Sequence, residues 1–334
     1  MSQAVKRMIA AGIMGVFGIA GANPVLAAEG RHFTFGYDQP LHSAFSAAAD
    51  IFGAHLAELS GGTMIVDQYP GGQLGQETQL LQKIRTGDVD FTVTSTANAA
   101  TLSPQAGVLS LHYVFRSEDH VRHAVSDPGC VGSIRGLFDT TVQGTHAIAV
   151  LALGLRNLYG KKEIHTVADL KGLRVRVQAT PTEDTIFPAY GAQTVHMDLG
   201  NVYTSLQTGV IDMSENVISV YRAFKHYETA PVMSVTEHEA NLSVLWVSDK
   251  VLQSLSEQQR KWVQTAADAT AREQPEKAFA LEHDSVAALI KLGIKFVPVD
   301  KSGFIAIAEP IQDKQAQDLG PQAVGILKVC RAAL

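Results

Sequence analysis

Cysteine is scarce in this chain, with only Cys130 and Cys330 among 334 residues. That excludes a disulfide-stapled scaffold and a multi-cysteine metal cluster. Basic runs are also missing. Lys and Arg total 27 against 33 Asp and Glu, a net charge of −6, which argues against nucleic acid as a partner. Charged residues are only 18% and hydrophobic ones 46%, a balance that excludes disordered, collagenous and coiled-coil chains. Beyond the first thirty residues no stretch approaches 18 consecutive apolar positions, so no later membrane span is expected.

Catalytic signatures are absent as well. There is no G-x-S-x-G elbow, no G-x-x-x-x-G-K-[ST] loop and no H-E-x-x-H pair. Gly71-Gly72-Gln73-Leu74-Gly75 lacks the dinucleotide-binding spacing, and neither cysteine carries an activating signature. The twelve histidines are scattered, and Glu237-His238-Glu239 is the one dense run of ligand-type residues. Consecutive strand residues face opposite sides, so this run reads as a solvated or hydrogen-bonded strand end. Neither an enzyme, nor a cofactor, nor a metal is expected.

The first residues read as an export signal. Lys6 and Arg7 precede an apolar stretch, Met8 to Ala20, that is shorter than the roughly 20 residues a membrane-spanning helix needs. Val25-Leu26-Ala27 then places small residues at the cleavage positions, with cleavage after Ala27 or Ala28. In an oxidising compartment Cys130 and Cys330 are able to pair, but 200 positions separate them and the sequence leaves pairing open.

Two runs of alternating strands and helices follow. The first comprises a strand at 32–37, a helix at 43–60 stopped by Gly61-Gly62, a strand at 64–69, a helix at 77–85 closed by Gly87, and a strand at 89–93. The second covers about 173–213: a strand at 173–177, a helix at 182–190, a strand at 194–197, a helix at 202–207 and a strand starting at 210–212. Thr86-Gly87-Asp88-Val89-Asp90 and Thr208-Gly209-Val210-Ile211-Asp212 occupy matching points. Another buried-type strand falls at 147–153. Residues 256–292 read as a long helix that Pro275 kinks or splits. A strand at 294–299 and a largely helical segment from 302 complete the chain. This alternation predicts an α/β protein with mostly parallel sheets flanked by helices. Length predicts two domains, and ligands prefer the cleft beyond the carboxyl ends of such strands.

Several segments carry a resemblance. They are Tyr69-Pro70-Gly71-Gly72-Gln73-Leu74-Gly75, Gly154-Leu155-Arg156-Asn157, Asp169-Leu170-Lys171-Gly172-Leu173-Arg174-Val175-Arg176-Val177, the stretch from Val202-Tyr203 to Asp212, and Glu215-Asn216. In this order and spacing the chain resembles the solute-binding subunit of tripartite ATP-independent periplasmic (TRAP) transporters, the DctP-type family. The resemblance implies a two-lobed periplasmic binding protein with two sheets, a hinged cleft and a long helix spanning both lobes. It implies domain I at 28–152 plus 242–281 and domain II at 153–241 plus 282–334. It also implies a periplasmic monomer that hands a small organic acid to small and large TRAP membrane subunits. A ligand-binding sensor that docks on a receptor is the alternative.

Arg176 matches the family's carboxylate-binding arginine, and a guanidinium fork suits a carboxylate. Arg156 and Asn216 match further ligand contacts. Ser95, Asn98 and Glu77 stand where the family reaches the ligand from domain I. Tyr37, His42, Phe115 and Tyr221 are candidates for the cleft wall. His112, Asp198-Leu199 and Met213-Ser214 depart from the family's pattern. The segments around Phe224 to Glu228 and Thr236 to His238 are similar to sugar-acid members, which points to a hexuronate or related sugar acid, with a C4-dicarboxylate or another carboxylate as the alternative ligand.

Overall fold

A computed structural model describes residues 30–333. The expected export signal lies outside the described residues. The strands are β1 (Arg31–Gly36), β2 (Met64–Tyr69), β3 (Phe91–Ser95), β4 (Thr145–Gly160), β5 (Arg174–Val177), β6 (Gln193–His196), β7 (Met213–Asn216), β8 (Val232–Ser248) and β9 (Lys295–Pro298). They form one sheet in the order β2-β1-β3-β8-β4-β7-β5-β6, with β9 added to β8.

That order reads the same from both ends. β1 lies between β2 and β3, all parallel, and β5 lies between β6 and β7, all parallel. The two runs seen in the sequence are therefore two matching half-sheets. The long antiparallel strands β4 and β8 join them, pairing from Thr145↔Ser248 to Gly160↔Val232. The two expected sheets are thus hydrogen-bonded into one. The matching sequence points do matching work. Gly87 and Gly209 end their helices in the left-handed conformation that glycine tolerates best. Three residues on, Asp90 accepts the backbone N–H of Thr34 in β1, and Asp212 accepts that of Arg174 in β5.

Helices cover the sheet with their apolar faces. Helix Ala44–Leu59 starts where the Ser43 hydroxyl accepts the Ser46 N–H. Its buried stripe of Phe45, Ala48, Ala49, Phe52 and Leu56 meets β1 and β3, and Phe52 lies 4.8 Å from the Phe91 ring. Truncating such a side chain to alanine costs about 3–5 kcal/mol. Helix Glu257–Lys291 packs on helix Ala44–Leu59, on β4 and on helix Ile218–Ala223, so it touches both halves. It continues unbroken through Pro275, which is itself buried. Packing along both flanks outweighs the roughly 3 kcal/mol that an interior proline costs.

Two further features depart from the sequence expectations, and one that the sequence left open is settled. The strand expected at 147–153 runs on to Gly160. The last strand of the second run starts at Met213, after Asp212 has turned back to hold β5. Cys130 and Cys330 form a disulfide, with Cα atoms 4.8 Å apart. It fastens the C-terminal helix Pro321–Arg331 to helix Pro128–Thr141, against which it packs.

Candidate functional site: a buried charged junction at the carboxyl ends of the strands

The two half-sheets point their carboxyl ends at each other, and hydrogen bonds join them there. Gln178, just past β5, donates to the Ser95 hydroxyl at the end of β3 (2.8 Å), and the Ala179 N–H donates to Asn98 Oδ1 (3.0 Å). Thr78 donates to Asp198 (3.3 Å), and the Gly200 N–H donates to Gln76 (3.1 Å). On the first-half side, Glu77 Oε2 gathers the Ser95 N–H (2.7 Å), the Ser95 hydroxyl (2.6 Å) and the Asn98 amide (2.9 Å). Glu77, Ser95 and Asn98 thus act as one unit, with Glu77 positioning the other two.

Arg176 lies in this junction, 2% exposed. Its Nε and Nη2 both donate to the Met197 carbonyl, at 3.0 and 2.8 Å, which fixes the guanidinium plane. Its Nη1 is buried without a hydrogen-bond partner among the described residues and stands 4.0 Å from Glu215. Burial lowers its pKa, and the nearby Glu215 and Glu77 carboxylates oppose that. Across the junction Asp38 follows β1. Burial and then the neighbouring Glu77 push its carboxyl well above the usual range, while Arg176 pulls it down. An orphaned buried donor beside orphaned acceptors, Asp38 Oδ1 and Gln178 Oε1, is chemistry suited to a ligand with both a carboxylate and hydroxyls.

Arg156 is placed differently. It is fully buried in β4 and forks onto the Glu215 carboxylate through Nε and Nη2. Nη2 also donates to the Glu215 carbonyl (3.0 Å), and Nη1 donates to Asn216 Oδ1 (3.3 Å). Burial works against its charge, but Glu215 and Glu239 outweigh that and raise its pKa. In turn Arg156 overcomes the burial of Glu215 and holds that carboxyl at about 2. Arg156 therefore braces the wall that carries Asn216, next to Arg176. Asn216 also accepts the Val217 N–H with the same oxygen (2.9 Å).

The expected wall residues are not gathered here. The Tyr221 hydroxyl already donates to the Ala230 carbonyl, and its ring packs behind Tyr159 at 4.7 Å. Phe115 is core, packed on His120. Tyr37 is buried with its hydroxyl on Gln68 (2.6 Å). His42 is exposed at a turn with φ 65°, on the rim of a surface cleft of about 450 Å³. The structure brings other residues instead. Tyr159 bonds His226 Nδ1 at 2.8 Å, and both lie close enough to Arg176 to feel its charge. Burial lowers the His226 pKa to about 3, keeping the ring neutral, and His226 Nε2 and the Ser214 hydroxyl have no hydrogen-bond partner among the described residues. Asp38 and Gln178 were legible as residues just past strand ends. Tyr159 was not, because it comes from the overlooked end of β4; His226 lies in the segment Phe224 to Glu228 that resembles sugar-acid members.

Two matched α/β halves around a buried, charge-lined junction define a cleft-type receptor for a small solute. The comparisons narrow that class. The family model for bacterial extracellular solute-binding proteins, family 7, matches residues 35–318, and the chain belongs to that family. A solute-binding protein of Roseobacter denitrificans is 33% identical over 270 residues, 80% of this chain and 81% of the relative. A TRAP periplasmic solute-binding protein of Bradyrhizobium, solved with D-galacturonate, is 28% identical, with a TM-score of 0.84 over 90% of this chain and 99% of that one. One from Chromohalobacter salexigens, solved with D-glucuronate, is 27% identical, with a TM-score of 0.84 over 90% of this chain and all of that one. Proteins of this family bind solutes for transport and are not enzymes. No helix among the described residues is long and apolar enough to cross a membrane.

Proposed function

We propose that this chain is the periplasmic receptor of a TRAP transporter and captures a hexuronate at the junction around Arg176. The observation that carries the proposal is the buried Arg176 guanidinium, held in plane by Met197 with Nη1 unpartnered. The ligand carboxylate takes that donor. Ring hydroxyls donate to Asp38 and Gln178 and meet the neutral His226 and Ser214. Glu77 repels a second carboxylate, and Arg156, already matched by Glu215, offers it no free cation. That favours a sugar acid over a C4-dicarboxylate. The hexuronates in the two solved neighbours support the same reading.

Closing follows from the hydrogen bonds between Ser95, Asn98, Gln178 and Ala179. The ligand strengthens them by excluding water from the junction. The hinge lies in β4 and β8, the strands shared by both halves. The lobes are those drawn from the resemblance, except that helix Pro321–Arg331 travels with the first lobe, to which its disulfide ties it. The closed form is then what the membrane subunits recognise.

The test is a thermal-shift and calorimetric panel on protein unfolded and refolded to strip bound solute. The panel holds D-glucuronate, D-galacturonate, the neutral parent sugars and succinate. Ligand at 100 times its dissociation constant adds about 2.7 kcal/mol to the folded state. The proposal expects a shift with a uronate and none with its neutral parent. A shift with succinate alone, equal shifts with neutral sugars, or no shift at all contradicts it.

A further inference from the structure

Beside the Arg156–Glu215 pair lies a second buried polar group that solute capture does not use. His112, His238, Glu183 and Glu239 are each at most 3% exposed. The two imidazole rings are 4.6 Å apart. His112 Nε2 stands 3.3 Å from Glu183 Oε2, and one ligand atom each from His112, His238 and Glu239 lie within 4.8 Å of one another. We propose that this group is a site for a single divalent transition-metal ion, with zinc the best fit, ligated by His112, His238 and the Glu183 and Glu239 carboxylates.

The hydrogen bonds favour that use. Each histidine has its Nδ1 engaged: His112 with the Tyr190 hydroxyl (3.1 Å) and His238 with the Thr236 hydroxyl (2.8 Å). Such outer partners fix ring orientation and leave Nε2 for a metal. Both Nε2 atoms and Glu183 Oε2 are buried with no hydrogen-bond partner among the described residues, a costly arrangement without a ligand. Two imidazoles with carboxylate oxygens are a zinc-type donor set. Bonds of about 2.0–2.1 Å in a tetrahedron put neighbouring donors about 3.3 Å apart. The His112–Glu183 pair already has that spacing, and the wider pairs need only side-chain adjustment.

Charge agrees. Arg156 faces the group, with Nε 3.5 Å from Glu239, but Glu215 neutralises it, and Glu215 also stands 3.8 Å from His238 Nε2. Arg156 is thus one cation among three carboxyls, Glu183, Glu215 and Glu239, and a divalent ion balances the remaining two.

The backbone explains how consecutive residues reach one site. Beside this group two steps along β4, from Arg156 to Leu158, oppose five along β8, from Glu239 to Ser234. The extra β8 residues form a bulge in which Glu237 takes φ 44°. Bulges re-aim side chains, so strand alternation fails here and both His238 and Glu239 turn inward. The run is a buried mid-strand feature, not a solvated strand end.

The test measures zinc retained after gel filtration by the full chain, unfolded in chelator and refolded with or without zinc. The expected result is one zinc per chain after refolding with zinc, a higher melting temperature, and cobalt substitution giving the intense visible bands of a tetrahedral site. A double variant, His112→Gln with His238→Gln, is expected to lose the retained zinc and the cobalt bands while still binding the wild-type solute, which shows that it has folded. No zinc retained by refolded wild type overturns the proposal. So does equal retention by the double variant, which would assign the metal to exposed histidines such as His32 and His283. If the double variant fails to fold, absence of the cobalt bands in wild type overturns the proposal by itself.

Discussion

Replacing Arg176 separates a ligand anchor from a structural ion pair. In the structure Nε and Nη2 are committed to Met197, and Nη1 is the group left to meet a carboxylate. Glu215 does not depend on Arg176, because Arg156 forks onto it. Arg176→Ala therefore removes the ligand's charge partner from a buried site while leaving the wall intact. Removing one member of a buried, hydrogen-bonded charge pair costs about 2–5 kcal/mol. That is a loss of affinity between about 30-fold and several thousandfold. Arg176→Lys keeps the charge but cannot fork across Met197 and a carboxylate in one plane, so a loss of at least about 10-fold is expected. Calorimetry on stripped protein gives the dissociation constants, and denaturant unfolding of the unliganded variants gives their stability. Uronate affinity within about threefold of wild type for Arg176→Ala would refute the reasoning. So would an affinity loss matched by an equal loss of stability without ligand, which would make Arg176 structural.

Three other predictions follow from particular contacts. Asn98→Ala removes the acceptor for the Ala179 N–H, so uronate binding should weaken by about 1 kcal/mol, roughly fivefold; an unchanged calorimetric constant would exclude this contact from closure. Glu282, on the long helix, accepts the Ile218 and Ser219 N–H groups, yet burial pushes its carboxyl up to about 7. Its folded form thus holds more proton than the unfolded chain between pH 4.5 and 7, and its contribution falls as pH rises through that window, by about 3 kcal/mol at most. Urea unfolding should show wild type losing stability relative to Glu282→Gln across that range; a constant difference would contradict the assignment. The Cys130–Cys330 bridge closes a loop of 200 positions, for which chain entropy allows about 5 kcal/mol. A Cys130→Ser, Cys330→Ser double variant should lose about 3–5 kcal/mol in denaturant unfolding and retain uronate binding; an unchanged midpoint would place the bridge outside the cooperative unit.

Much of this was legible in the residues because it is local. Gly87 and Gly209 announce helix ends, and Asp90 and Asp212, three residues later, announce the matched turns that make two half-sheets from one pattern. The place of Arg176 near the carboxyl end of its strand was legible because the segment Leu173 to Val177 reads as a short strand. What escaped was non-local. The half-sheets merge because β4 and β8 are each about three times longer than their neighbours, and uniformly buried strands give no alternation to mark their length. Pro275 lies within the long helix because packing on two flanks supports it. His112 gave no sign of meeting His238, 126 positions away, and the β8 bulge that turns His238 inward has no turn-type residue to mark it. Arg156 shows the same limit from the other side. Expected just past a strand ending at 153, it lies inside β4, and its commitment to Glu215 depends on strand pairing that spacing alone does not reveal.

The most direct test of the central claim is a crystal structure of the stripped protein with D-glucuronate or D-galacturonate, whichever the panel selects. The account predicts the uronate carboxylate within about 3 Å of Arg176 Nη1, with ring hydroxyls facing Asp38 and Gln178. A uronate bound with hydroxyls toward Arg176 and its carboxylate elsewhere, or seated outside the junction in the surface cleft beside His42, would contradict it.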